Sequence, residues 1–140
     1  ANVRCGIVTG DNLLTGISVA EECRLVDKSD AIIKVRAHRD KSSALKVNYS
    51  YVKYPDFILQ NDNNANFEMG DSPQNGHFDY HLAIDGDSFN AIRSADSQLL
   101  NKIVHKGTIF ARMSPDQKLS LVNLLQKQNH NVGMCGDGKR

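Results

Sequence analysis

The sequence predicts an α/β layered fold, and two observations carry that expectation. Short apolar runs alternate with stretches of helical period, a pattern that implies parallel strands joined by crossover helices. Three polar turns, Thr9-Gly10-Asp11, Arg112-Met113-Ser114 and Gly136-Asp137-Gly138, each follow an apolar run. In parallel sheets that is the end of the strands where ligands gather.

Residues 4–9 read as a short strand centred on Cys5-Gly6-Ile7-Val8. Thr9-Gly10-Asp11-Asn12 breaks it. Leu13, Ile17, Ala20 and Cys23 then recur at helical spacing. Asp11 or Asn12 can cap this helix by accepting from its free N–H groups. Ala31-Ile32-Ile33-Lys34-Val35 reads as a second strand, and residues 47–54 alternate loosely enough for another.

Residues 60–76 are rich in Asn, Asp, Ser and Gly and include Pro73. Too little apolar surface is present to offset the entropy of ordering them, so they are expected to be mobile, within a loop-rich, partly disordered insertion over roughly residues 38–79. Leu82 and Ile84 alternate within a further strand over residues 80–84, and Asp85-Gly86-Asp87-Ser88 reads as a turn. Phe89 and Ile92, then Leu99, Leu100, Ile103 and Val104, predict one helix or two, because residues 94–97 are weakly patterned.

Residues 108–113 read as a strand. Ser114-Pro115-Asp116-Gln117 is a strong helix start: a serine cap, proline at the first helical position, an acid in the first turn and glutamine three residues on. Leu121, Val122, Leu124 and Leu125 give that helix its apolar face. Residues 126–131 end it, and 132–135 are expected to form the last strand.

The chain has 140 residues, 40% of them hydrophobic and 24% charged, which suits one soluble domain with a single core. A net charge of +1 argues against a dedicated nucleic-acid surface. No apolar run approaches the roughly 20 residues that span a membrane, and no signal-peptide pattern opens the sequence. Cys5, Cys23 and Cys135 lie in apolar contexts and read as buried thiols. His38, His77, His81, His105 and His130 show no metal-ligand spacing. Lys34, Arg36, His38, Arg39 and Lys41 form a basic patch of the kind that is usually a solvated face.

Thr9 and Gly10, between a strand and a helix N-terminus, suit a phosphate, and suit equally a capped turn without ligand. Lys118 sits early in its helix, where the dipole disfavours a cation by about 0.3–1 kcal/mol. A nearby anion would remove that conflict, and so would simple solvation. Asp137, held between glycines after an apolar run, is a candidate ligand for Mg²⁺ or an ordinary loop acid.

Thr9-Gly10-Asp11-Asn12, residues 110–118 and residues 132–138, in that order, resemble the phosphorylation domain of P-type transport ATPases. The type-five subgroup, cation and polyamine pumps of endosomal and lysosomal membranes, is the most similar. The resemblance covers nearly the whole chain, with no usable signal in residues 38–79.

It implies a haloacid-dehalogenase-like α/β fold, a Rossmann-like parallel sheet flanked by helices, here as a partial phosphorylation domain over residues 1–140. It implies that Thr9, Gly10 and Lys118 contact the transferred phosphoryl group, that Asp11 and Arg112 lie toward the nucleotide, and that Asp137 holds Mg²⁺. ATP would be the substrate of the parent, a multi-pass membrane protein whose nucleotide-binding, actuator and transmembrane domains would be this chain's partners. This part would lie on the cytosolic side without entering the membrane.

The family's nucleophilic aspartate stands in an Asp-Lys-Thr-Gly-Thr motif that does not occur here. The strand bearing it would be missing from the sheet, and the isolated chain would be inactive. Lys139-Arg140 stands where the family usually continues Asn-Asp. Two alternatives remain at this level: a soluble haloacid-dehalogenase-like phosphatase, and a non-catalytic interaction module of the same fold.

Overall fold

A computed structural model of the chain describes residues 4–27, 29–53 and 80–134. In order, the elements are β1 (Ile7–Val8), α1 (Leu13–Glu22), β2 (Ala31–Arg39), β3 (Leu45–Lys53), β4 (Tyr80–Asp85), α2 (Gly86–Ala95), α3 (Ser97–Lys106), β5 (Gly107–Ala111) and α4 (Pro115–Lys127). The five strands form one sheet in the order β1-β5-β4-β2-β3. Neighbours β1/β5, β5/β4 and β4/β2 run parallel, and β3 runs antiparallel to β2.

The sheet is therefore mixed, not wholly parallel. Residues 40–44 are too few for a crossover, which needs a dozen or more residues, so β3 folds back as a hairpin. Part of the expected insertion is thus ordered strand. The remainder, residues 54–79, lies outside the described residues, including the stretch 60–76 read as mobile.

The strand period of two distributes the core over both faces of the sheet. On one face Ile32, Ala83 and Ile109 pack with Ile17 and Ala20 of α1. On the other, Ile33, Val35, Leu82, Ile84 and Phe110 pack with Phe89 and Ile92 of α2, Leu100, Ile103 and Val104 of α3, and Leu121 of α4. Burying each of these large side chains contributes roughly 1.5–3 kcal/mol. Helices therefore cover both faces, as the alternation of strands and helices requires.

Several local expectations need correction. The first strand is two residues long, not six. Asp85-Gly86-Asp87-Ser88 is not a free turn: Asp85 is the N-cap of α2, accepting from Ser88 N at 2.8 Å. The weak stretch before Ser97 is a true break, where Asp96 ends α2 and caps α3. Residues 131–134 form no strand, and Met134 is 62% exposed. Cys5 and Cys23 are exposed free thiols, not buried ones, and Cys135 lies outside the described residues. Cys23 follows the last turn of α1 as its C-cap, so the helical period that groups it with Ala20 ends before reaching it.

Candidate functional site

The carboxyl ends of β1, β5 and β4 meet at one edge of the molecule. The polypeptide leaving β1 is tied to the polypeptide leaving β5 by three backbone bonds. Thr9 N donates to Phe110 O at 2.9 Å, Met113 N to Thr9 O at 2.9 Å, and Arg112 N to Asp11 O at 2.8 Å. The first extends the parallel ladder of β1 and β5 by one bond, and the other two cross it, Met113 meeting Thr9 and Arg112 meeting Asp11.

Within the first loop, Thr9 Oγ1 accepts from Asp11 N at 3.1 Å, a local hydroxyl turn. Asn12, not Asp11, caps α1, accepting from Thr15 N at 2.8 Å. The Asp11 carboxylate is left exposed, with no side-chain partner among the described residues. A Cβ on Gly10 would come no nearer than 4.0 Å to Met113 O, an ordinary contact. The protein's own packing does not demand glycine there.

The second loop turns sharply. Arg112 has φ 51°, a left-handed conformation that a side chain disfavours. Its amide bond to Asp11 helps to hold that geometry. Ser114 then starts α4 with a full capping box: Ser114 Oγ accepts from Gln117 N at 3.2 Å, and Gln117 Oε1 accepts from Ser114 N at 2.9 Å. Lys118 N donates to Ser114 O at 2.9 Å in the first turn of the helix. The Lys118 side chain is half-buried and has no ion-pair partner among the described residues. A cation beside the positive end of a helix with no carboxylate paired to it is the electrostatic conflict expected from the sequence.

A third loop, which sequence reasoning missed as part of this edge, joins the other two. Gly86 O accepts from Gln117 Nε2 at 2.9 Å, which ties the start of α2 to the loop after β5. The available signal is Asp85-Gly86-Asp87-Ser88, which has the acid of a helix cap just before Phe89 and Ile92.

Thr9, Gly10, Asp11 and Arg112 are thus brought together, and Lys118 follows one turn into the helix that the Arg112 loop starts. Asp137 lies outside the described residues. Among those residues no three His, Cys, Asp or Glu side chains converge to hold a metal.

No protein-family model matches the chain. Its curated relatives are more informative. "Probable cation-transporting ATPase 13A4" of Homo sapiens is 42% identical over 143 residues, 99% of this chain. The chain belongs to the type-five P-type ATPases. "Polyamine-transporting ATPase 13A3" of Mus musculus is 37% identical over 99% of the chain, and "Polyamine-transporting ATPase 13A2" of Homo sapiens is 36% identical over 97%. In each case the match spans 12% of the relative's length. The chain therefore aligns with one segment of these ATPases. Among the described residues no helix is long and apolar enough to cross a membrane.

Proposed function

We propose that this chain is part of the phosphorylation domain of an ATP-driven cation- or polyamine-transporting ATPase, with a haloacid-dehalogenase-like fold. One observation carries the reading: backbone bonds clasp Thr9-Gly10-Asp11 to Arg112-Met113 at the carboxyl end of the parallel strands, with Lys118 one helical turn beyond. Phosphoryl transfer is catalysed mainly by positioning and charge neutralisation. Thr9 would donate its hydroxyl, and Gly10 its amide, to phosphoryl oxygens. Gly10 leaves a ligand free to approach the main chain. Lys118 would neutralise those oxygens as a compact point charge. Asp11 and Arg112, both exposed at the rim, would face the nucleotide.

The described residues alone do not make a magnesium centre. The assignment of Mg²⁺ rests on Asp137, whose carboxylate is a hard oxygen donor of the kind that ion prefers. Thr9, Gly10 and Lys118 would act on phosphate without it.

Two structural features fit this reading. The outer edge of β1 has no partner among the described residues, and residues 132–134 join no sheet. A further central strand, bearing the nucleophilic aspartate and supplied by the parent protein, would have both as its neighbours. The nucleotide-binding, actuator and transmembrane domains of that parent would be the partners of this segment. It would work on the cytosolic side of an endosomal or lysosomal membrane.

The test is amide NMR of the 140-residue chain on adding a phosphate analogue, with and without Mg²⁺. Shifts at Gly10 and Lys118, reduced in Lys118→Ala, are expected; silence at both in every condition refutes the phosphate assignment. Because the nucleophile is absent, ATP should leave no acid-stable ³²P label on the chain. Stoichiometric labelling would overturn that part.

A further inference from the structure

The opposite end of the sheet is concave. A cleft of about 660 Å³ opens beside the amino ends of β2, β4 and β5. That size is typical of small-molecule sites. It lies one strand length from the phosphate loops, since Gly107 to Ala111 spans about 13 Å at the usual rise of a strand.

Its lining is strongly cationic. Arg4, Arg24 and Lys106 face it together with His105 and His130, against one carboxylate, Asp30. That carboxylate is engaged: Asp30 Oδ2 lies 2.9 Å from His81 Nε2 and accepts from Asp27 N at 3.1 Å. Among the described residues none of the three permanent cations has an ion-pair partner.

Two of these cations are held in place. Arg4 Nη2 donates to Gly107 O at 2.6 Å, which anchors the guanidinium at the start of β5. Partial burial of that group pulls its pKa down, the mark of a cation losing water without gaining a counter-charge. Lys106, next in the chain to Gly107, lies with its ammonium 5.6 Å from the centre of the Tyr80 ring. The His105 and His130 rings stack nearby with centroids 6.3 Å apart.

Helix ends offer a simpler account for two members. Arg24 follows the end of α1 and Lys106 ends α3, where the dipole favours cations. That explains each alone. It does not explain their convergence, in one cleft, with an anchored arginine from before β1.

We propose that this cleft binds a phosphate-bearing anion of high charge density, at a site separate from the phosphate loops. Guanidinium groups pair with phosphate through two parallel N–H donors, and the ammonium and imidazoles supply further donors around the rim. None of these residues belongs to the loops at the carboxyl end, so this site stands whether or not those loops bind phosphate.

Pyrophosphate titrated into the 140-residue chain, followed by amide NMR, tests it. Saturable shifts are expected at Arg24, Leu25, Lys106 and Gly107, weakening as salt rises from about 0.01 M to about 0.1 M. Arg24→Gln and Lys106→Gln alter exposed side chains and should each weaken binding about tenfold, the scale of one charge-assisted contact. Arg4→Gln also removes the bond to Gly107, so those two variants carry the result. A parallel arm presents anionic phospholipid vesicles. Response to vesicles alone assigns the phosphate to a lipid headgroup, and response to pyrophosphate assigns a free anion. Silence in both arms, or shifts that both variants retain in full, overturns the site.

Discussion

Gln117 reaches from the first turn of α4 to the first residue of α2, donating from Nε2 to Gly86 O at 2.9 Å while its Oε1 accepts from Ser114 N. Gln117 is 6% exposed, and its bond to Gly86 is shielded from water, whereas the bond from Ser114 N is only partly so. The two loops approach so closely that a Cβ on Gly86 would lie 2.3 Å from Arg112 O and 2.6 Å from Gln117 Oε1. Alanine favours a helix over glycine by about 1 kcal/mol. Overpacking against backbone costs typically about 1–3 kcal/mol, and this overlap is severe. The clash should win, so Gly86→Ala should lower stability by about 2 kcal/mol in urea unfolding. Unchanged or increased stability would show that the loops can separate freely.

The same junction predicts the cost of losing the amide. Gln117→Ala leaves the buried Gly86 carbonyl unsatisfied, at about 1–3 kcal/mol, and frees the partly exposed Ser114 N–H to water at smaller cost. Gln117→Glu retains the acceptor for Ser114 N but sets a carboxylate against Gly86 O. Both variants should unfold at clearly lower urea than the parent chain. If Gln117→Glu matches the parent at neutral pH, the bond to Gly86 contributes little.

Much of this fold was legible because its patterns were long. The helix cap at Ser114 follows from residue types at four consecutive positions, and the core faces of α1 and α3 follow from their helical periods. The failures are physical as well. The strand expected over residues 47–54 is β3, whose burial alternates strictly, but its antiparallel pairing to β2 depends on the shortness of residues 40–44, a distance constraint that composition does not display. Gly86 read as turn punctuation, whereas the requirement for glycine comes from Arg112 O, a carbonyl 26 positions away in sequence. Val132-Gly133-Met134 looked like a strand by apolarity alone, but a strand needs a neighbour to satisfy its backbone groups, and Gly133 has nothing within 4 Å of a Cβ position. In the candidate site, the Thr9-Gly10 and Arg112 loops were legible as separate turns. Their mutual backbone bonds were not.

Arg112 offers a way to separate backbone from side chain. With φ at 51°, any residue but glycine carries a conformational cost there of about 1–2 kcal/mol. Arg112→Gly removes the cost and Arg112→Ala keeps it, so the glycine variant should be the more stable of the two by about 1 kcal/mol. If the guanidinium serves a nucleotide, both variants should lose ATP-induced amide shifts at Asp11 while remaining folded. An alanine variant as stable as the glycine variant would remove strain from the account of this loop.

Ser88 pins the β2–β3 hairpin to α2, the helix that follows β4. Its Oγ accepts from Ala37 N at 3.0 Å, and the residue is 2% exposed. Ser88→Ala should leave the Ala37 amide buried without a partner, at about 1–3 kcal/mol. Hydrogen exchange at Ala37 should accelerate well beyond the global change. Uniform acceleration across the sheet would mean that the bond has no local role.

Asp40 sets the acid response of the β2–β3 turn. Its Oδ1 accepts from Ser42 Oγ at 2.6 Å, Ala44 N at 3.0 Å and Ser42 N at 2.9 Å. The Ser42 hydroxyl first, then the Ala44 amide, hold its pKa below the usual aspartate range. Lys46 Nζ at 3.9 Å is an exposed partner that salt screens, so it adds little. A carboxyl whose folded value is depressed stabilises the fold above its unfolded value, and that contribution disappears as pH falls through the folded one. Asp40→Asn keeps an acceptor oxygen but removes the charge. The parent chain should therefore exceed Asp40→Asn in stability at about pH 7, and the gap should narrow toward about pH 3, below the ordinary aspartate value. Urea unfolding of both chains at the two pH values measures it. A gap that stays constant or widens in acid would mean that the charge on Asp40, and hence its bonds to Ser42 and Ala44, does not stabilise the turn.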